Sequence, residues 1–212
     1  MSPFISLMQD SECLDVALHA RDSYTGDHCK RVEKMCIQVG RSCSLDKKEL
    51  TLLSMAAKLH DIGKIGIPDH ILLKPGRFEP EEWDVMKNHA AIGEEICTVI
   101  PHENASTVAF IIRHHHESFD GKGYPDGLSG EDIPVAARII SLIDGYDAMT
   151  TTRPYQKARS HDVVMSILAS DQGARVDPYI FSHFEKTIAQ NNIELIKMDI
   201  NPDYLHPNVI SF

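Results

Sequence analysis

The sequence predicts an all-α fold, a single helical bundle, from three observations. Apolar residues recur at three- and four-residue spacing in almost every segment, the pattern of a helix with one buried face. Strand-type alternation is nearly absent. Glycine and proline interrupt the periodicity at Thr25-Gly26, Gly63 to Pro68, Pro80, Pro101, Gly121 to Pro134 and Asp177-Pro178, cutting the chain into helix-sized pieces.

Taken in order, a first helix is expected from about Ser11 to Arg21, with Leu14, Ala17 and Leu18 facing inward. Thr25-Gly26 should interrupt it before Asp27 caps a second, running to about Ser42 and burying Val32, Met35, Cys36 and Val39. Asp46 with Glu49 forms a capping-box pattern that opens a third helix, whose inner residues are Leu50, Leu53, Ala57 and Leu59. Gly63 and Gly66 should end it after His60-Asp61, with Pro68 blocking its resumption and residues 67–78 irregular. Pro80 suits a first helical position, and one helix should follow through Met86, His89, Ile92 and Ile96 until Pro101. The apolar run Val108 to Ile112 leads a further helix into His115-His116, followed by a glycine-rich polar loop to Pro134. Val135, Ile139, Leu142 and Ile143 then describe a helix that carries Asp144 and Asp147 near its end. Ser160 caps a short helix, and Asp177-Pro178 opens the last strong one, with Ile180, Phe181 and Phe184. Residues 1–190 read as one domain that includes the N-terminal helix, and 191–212 as a tail packed on it or mobile.

The composition narrows the function classes. A chain of 212 residues can bury a sizeable core, and no apolar run approaches the roughly 20 residues of a membrane span. The first ten residues lack the basic flank and apolar stretch of a secretory signal, so a cytoplasmic location and no membrane partner are expected. Five cysteines without a CxxC pair argue against a disulfide framework. Cys29, Cys36 and Cys43, seven apart, read as small core residues. The formal charge of -10 argues against a DNA or RNA duplex as partner, which needs a basic face, so an anionic substrate would have to be drawn by a local positive site.

Histidine is abundant, 12 in all, which invites a search for metal ligands. Adjacent histidines stand about 100° apart on a helix, so one metal cluster can take both His115 and His116 only near a helix end. Gly121 and Gly123 open backbone conformations closed to other residues, allowing the following loop to approach a ligand closely. His28, His60, Asp61, His89, His115, His116 and Asp144 each fall at a helix end or on an inner helical face, and divalent cations accept such a mixed imidazole and carboxylate set.

Several stretches together carry a resemblance: Tyr24-Thr25-Gly26-Asp27-His28 with Arg31-Val32, His60-Asp61-Ile62-Gly63-Lys64, and Met86-Lys87-Asn88-His89 with Gly93. To these add His115-His116-Glu117 through Asp120-Gly121-Lys122-Gly123-Tyr124-Pro125, then Asp144-Gly145-Tyr146-Asp147 with Arg153-Pro154-Tyr155. From Leu14 to Ile188 the chain resembles an HD-GYP domain, a branch of the HD phosphohydrolase superfamily. The resemblance implies an all-α, metal-dependent phosphodiesterase that opens cyclic di-GMP to pGpG, and onward to GMP, by attack of a hydroxide bridging two divalent metal ions. Carried over residue by residue, His28, His60, Asp61 and Asp144 hold one metal, and Asp61, His89, His115 and His116 the other, with Asp61 as bridge and central catalytic residue. Lys64 would neutralise the scissile phosphate, Arg153 would contact phosphate, and Tyr124 the nucleotide. Asp147 is expected to meet the substrate or a group behind the ligands, while Glu117 and Asp120 would order the loop and fix imidazole tautomers. Mixed ligation suits iron or manganese, with nickel, cobalt or zinc also bound by such donors.

Two departures bear on the carry-over. Tyr24 stands where some members place a glutamate for a third metal, so two metals are expected; Gln156 replaces the usual Lys or Arg after Arg153-Pro154-Tyr155. Two rival functions follow. One is hydrolysis of a cyclic GMP-AMP or another nucleotide. The other is a low-turnover cyclic di-GMP sensor that docks diguanylate cyclases (GGDEF proteins), with a homodimer through the N-terminal helix open in either case. Among the other histidines, His114 should face away from the metals, and His19, His70, His102, His161, His183 and His206 should take solvated or capping roles.

Overall fold

The structure, a computed structural model, describes residues 3–152 and 157–191. Arg153 and Gln156, and the tail from 192 onward, fall outside the described residues, as do the side chains of Tyr24 and of the first eleven residues.

Ten α-helices follow one another: α1 Pro3–Arg21, α2 Ser23–Ser42, α3 Lys47–Leu59, α4 Asp69–Leu72, α5 Pro80–Lys87, α6 His89–Thr98, α7 Ala105–Arg113, α8 Val135–Thr150, α9 His161–Ser170 and α10 Pro178–Asn191. Two 3₁₀ turns, Ile62–Gly66 and Gly130–Asp132, sit among them. Among the described residues the only strand-type pairing is an isolated bridge between Gln172 and Val176. Among the described residues no helix is long and apolar enough to cross a membrane.

The core forms where α2 lies against α3 and α8, α3 against α7, and α6 against both α7 and the first 3₁₀ turn. Leu18, Val32, Leu53, Leu59, Ile62, Ile112, Ile139, Ile140, Ile143, Ile180 and Phe184 are buried there, together with Cys29, Cys36 and Cys43. A smaller cluster of Ile67, Ile71 and Met86, backed by Phe78, fastens α4 and α5 to the edge. The capping box at Asp46 is present: Asp46 Oδ1 accepts from Glu49 N at 2.8 Å, and Glu49 accepts from Asp46 N at 2.7 Å.

α1 starts earlier than expected, at Pro3 rather than about Ser11, and three further boundaries move, each for a local reason. α2 begins at Ser23, so Thr25-Gly26 lies inside it and Asp27 does not cap it. Asp22 supplies the acceptor instead, at 3.4 Å from Thr25 N and 2.6 Å from Thr25 Oγ1. Gly26 serves close packing there, because a Cβ would stand 2.3 Å from His19 Nδ1 on α1. Pro68 does not keep residues 67–78 irregular: its carbonyl opens the single turn of α4, accepting from Ile71 N and Leu72 N. Proline blocks continuation from the preceding helix but leaves its own C=O free to start another. The helix expected from Pro80 through Ile96 breaks at Asn88, where Asn88 N donates three residues back to Val85 O and tightens the last turn of α5. That break sets His89 at the head of α6.

Candidate metal centre

Five stretches of the bundle converge on one buried polar centre. α2 contributes His28, the end of α3 and the turn after it His60, Asp61 and Lys64, the head of α6 His89, and the end of α7 His115 and His116, while α8 adds Asp144. All seven expected ligands therefore meet, in a row of touching rings. Centroids are 5.4 Å apart for His28 and His60, 5.2 Å for His60 and His115, 5.3 Å for His89 and His115, and 5.0 Å for His89 and His116. Donor atoms group as His28, His60 and Asp144 at one end and His89, His115 and His116 at the other. The Asp61 carboxylate lies between them, Oδ2 3.6 Å from His60 Nε2 and Oδ1 3.6 Å from His89 Nε2.

Helix geometry, rather than neighbouring carboxylates, orients three of these rings. His60 Nδ1 faces the carbonyl of Ala57 at 2.8 Å, His89 Nδ1 that of Met86 at 2.7 Å and His115 Nδ1 that of Ile112 at 2.6 Å. Each carbonyl lies three residues back at a helix end, where it lacks a full helical partner. A carbonyl only accepts, so each Nδ1 carries the proton and each Nε2 turns a lone pair inward. His60 Nε2 is buried without a hydrogen-bond partner, and the lone pairs of His89 and His115 Nε2 stand 3.4 Å apart with His116 Nε2 3.1 Å from that of His89. Converging acceptors of this kind need a cation, because an unmet buried acceptor costs roughly 1–3 kcal/mol.

A proton does not serve at the His89 end. Burial first, then the neighbouring imidazole of His89, pushes His116 down to about 3, and burial followed by His116 and His60 carries His115 well below its usual value. The donor set therefore fits metal ions, with His89, His115 and His116 placed to hold one and His28, His60 and Asp144 another.

His28 differs from its neighbours. Its Nδ1 donates to Asp147 Oδ2 at 2.6 Å and its Nε2 lies 3.0 Å from Asp144 Oδ1. Burial opposes charge on this ring, but the bonds to Asp144 and Asp147 win and raise it to about 9. Without a metal, a proton on Nε2 thus sits between His28 and Asp144, where an ion would otherwise bind. Burial likewise opposes ionisation of Asp61, and Lys64 with the surrounding imidazoles overcomes it, holding the carboxyl well below the usual range.

Three acidic residues lie behind or beside the candidate ligands. Asp147 is buried and fully engaged: Arg31 Nε and Nη2 donate to its two oxygens at 2.8 Å each, and His28 takes the remaining direction. Of its two expected contacts it makes the one behind the candidate ligands, orienting the His28 ring. Glu117 and Asp120 contact none of the imidazoles. Glu117 Oε1 accepts from Asp126 N and Gly127 N at 2.8 and 3.0 Å, and Asp120 accepts from Lys122, so both order the loop. His114 turns away from the centre as expected, its Nε2 2.8 Å from Asp126 Oδ2, beside the bidentate pair of Arg113 with Asp126.

Lys64 Nζ donates to Asp61 Oδ2 at 2.6 Å, so the expected phosphate contact lies against the central carboxylate. Tyr124 lies over His116, ring centroids 4.8 Å apart, with burial raising its hydroxyl above the usual range. Gly123 brings this loop close, since a Cβ there would fall 2.2 Å from Ser118 N. Arg31 is a partner of the centre to which the sequence assigned no role, although its place three residues after His28 puts it on the same helical face.

The HD domain profile matches residues 12–180. The chain belongs to the HD domain family. Within it the HD-GYP branch is shown by the relatives. The cyclic di-GMP phosphodiesterase response regulator RpfG of Xanthomonas campestris is 40% identical over 162 residues, covering 76% of this chain and 43% of that protein. A 3'3'-cGAMP-specific phosphodiesterase 2 of Vibrio cholerae is 33% identical over 177 residues, covering 82% and 34%. The HD-GYP chain thus spans less than half the length of either relative. Among solved structures, an HDG"Y"P protein of Bdellovibrio bacteriovorus superposes with a TM-score of 0.63 at 23% identity, over 76% of this chain and 51% of its own. The HD domain of Listeria monocytogenes PgpH gives 0.61 at 16%, over 84% and 97%. Both structural likenesses are of fold.

Proposed function

We propose that this HD-GYP chain is a cytoplasmic phosphodiesterase that opens cyclic di-GMP to pGpG, and onward to GMP, on a centre of two divalent ions, iron or manganese. The observation that carries it is the meeting of five inward-facing imidazoles and two carboxylates around Asp61, in a family whose relatives are named for this reaction. His28, His60, Asp61 and Asp144 would hold one ion and Asp61, His89, His115 and His116 the other. Such ions, when bound, polarise phosphoryl oxygens and lower the pKa of coordinated water toward neutrality.

The chain's own residues do the remainder. Asp61, kept ionised, offers one oxygen to each half of the centre. Lys64 places a positive charge beside it, aimed at charge that develops on the phosphate. Two dications outweigh Asp61 and Asp144, so the centre attracts an anionic substrate although the chain carries -10 overall. Tyr124, and Arg153 outside the described residues, would position the nucleotide.

Chromatography of products from cyclic di-GMP and from its GMP-AMP analogue, with iron and with manganese, tests the reading. pGpG is the expected product, and intact substrate under both metals refutes it. Preferential cleavage of the GMP-AMP compound would favour the second reading, which the naming of the Vibrio cholerae relative supports.

A further inference from the structure

Beside the candidate metal centre the helix α5 carries a half-exposed aromatic residue. Trp83 is 45% exposed, and its ring meets Tyr124 edge-on, centroids 6.3 Å apart at 82°. Phe78 stacks with it from the other side at 6.1 Å and 23°. Rings therefore run without a gap from His116 through Tyr124 to Trp83 and the surface. Next to them opens a cavity of about 290 Å³, lined by Asp84, Lys87, Asn88, Ala91, Tyr124 and Pro125. That volume lies just under the range for a whole drug-sized ligand, so it suits one base rather than an entire cyclic dinucleotide.

Its polar groups are suited to a base as well. Asp84 and Lys87 pair with each other at 2.6 Å, yet the Asp84 side chain stays 71% exposed at the rim. An ionised carboxylate only accepts, and the Watson–Crick edge of guanine presents two adjacent N–H groups where adenine presents one. Trp83 and Lys87, four apart on α5, share a helical face.

Resting on the function proposed above, we propose that Trp83, Tyr124 and Asp84 form a base subsite of the enzyme. In it a guanine of the substrate stacks on the aromatic platform and donates to Asp84, while the attached phosphate reaches the metal centre. Trp83 and Asp84 then decide affinity and base preference without taking part in bond breaking.

Trp83 is the only tryptophan of the chain, so its fluorescence reports the subsite directly. Manganese-loaded protein titrated with the slowly cleaved bis-phosphorothioate of cyclic di-GMP should show saturable quenching. Calorimetry should show Trp83→Ala weakening that binding by about tenfold, within the range of base–aromatic stacking, and Trp83→Phe recovering most of it. In turnover of cyclic di-GMP, Trp83→Ala should raise KM with kcat changed less than about twofold, and Asp84→Asn should weaken cyclic di-GMP but not cyclic di-AMP. Tight binding with unmoved fluorescence, or a fall in kcat with KM unchanged in Trp83→Ala, overturns the subsite and leaves the enzyme assignment standing. Wild-type protein that neither binds nor cleaves any cyclic dinucleotide overturns both.

Discussion

At the scale of single residues, the centre is a set of acceptors waiting for cations, and charge decides how it behaves. Asp61 faces both halves, so Asp61→Ala should remove bound metal and turnover together, read by elemental analysis alongside product chromatography; near-normal turnover would refute its central role. Asp147 acts one step behind. Asp147→Asn keeps the shape but loses the carboxylate that His28 Nδ1 and Arg31 share, and metal affinity should fall about 10- to 100-fold, as for other groups that orient metal-bound histidines. The shifted histidines also set a pH dependence for the metal-free chain, His28 in one direction and His89, His115 and His116 in the other. His28 is raised to about 9, so its contribution is whole below pH 6.5 and is lost as pH rises from there through 9. His116 is lowered to about 3, so the unfolded chain binds the extra proton and stability is lost as pH falls from 6.5 through 3. Thermal melts of the metal-free protein should therefore peak near pH 6.5. A metal ion held by His28, as proposed, would displace the proton shared with Asp144, so the alkaline decline should vanish in the loaded protein.

At the scale of elements, tight backbone crossings hold these residues in place. Gly63 is the clearest: a Cβ would lie 1.9 Å from the carbonyl oxygen of His89 and 2.5 Å from Gly93 N, backbone on both counts. Neither atom can swing aside, so Gly63→Ala must separate the 3₁₀ turn that carries Lys64 from the head of α6. Denaturant melts should show a loss of about 3 kcal/mol or more, at or beyond the upper end of ordinary overpacking, with weakened metal binding. Asp46→Ala is the contrast. It removes the α3 capping box at a cost of about 1 kcal/mol and should leave metal content unchanged. The same comparison explains what the sequence made legible. α3, with its capping box, and α8, with its apolar stripe alone, could be read from spacing, whereas the candidate ligands on and after them were placed by the resemblance. The shift of the α2 start, the turn of α4 and the break at Asn88 could not. Each depends on a contact with a distant or locally competing partner: His19 packed on Gly26, Pro68 offering its carbonyl, and Asn88 bonding three residues back instead of four. The choice between the two expected contacts of Asp147 stayed open for a related reason. Its position on α8 is periodic, but its partners His28 and Arg31 lie more than a hundred residues earlier.

At the scale of the whole molecule, the proposed metal centre would set a positive pocket in an acidic body. The chain carries 31 acidic against 21 basic residues, so the doubly anionic substrate proposed above would meet net repulsion from afar before bound metal ions attract it. The two influences differ in range. At 0.01 M ionic strength the Debye length is about 30 Å, long enough for the body's charge to be felt across the domain, whereas at 0.15 M it is about 8 Å and only the pocket's own charges remain effective. Added salt should thus remove the long-range penalty first. On the function proposed above, kcat/KM toward cyclic di-GMP is expected to rise, or at least hold level, between those two salt concentrations, opposite to the steep fall of a protein that meets its anionic substrate with a basic surface. Steady-state rates across that interval, with metal content checked at each point, measure the slope. A steep fall with salt would mean that a cationic surface steers the substrate. The metal ions would then not be the chief source of attraction, and the basic groups responsible would have to be sought outside the ligand set described here.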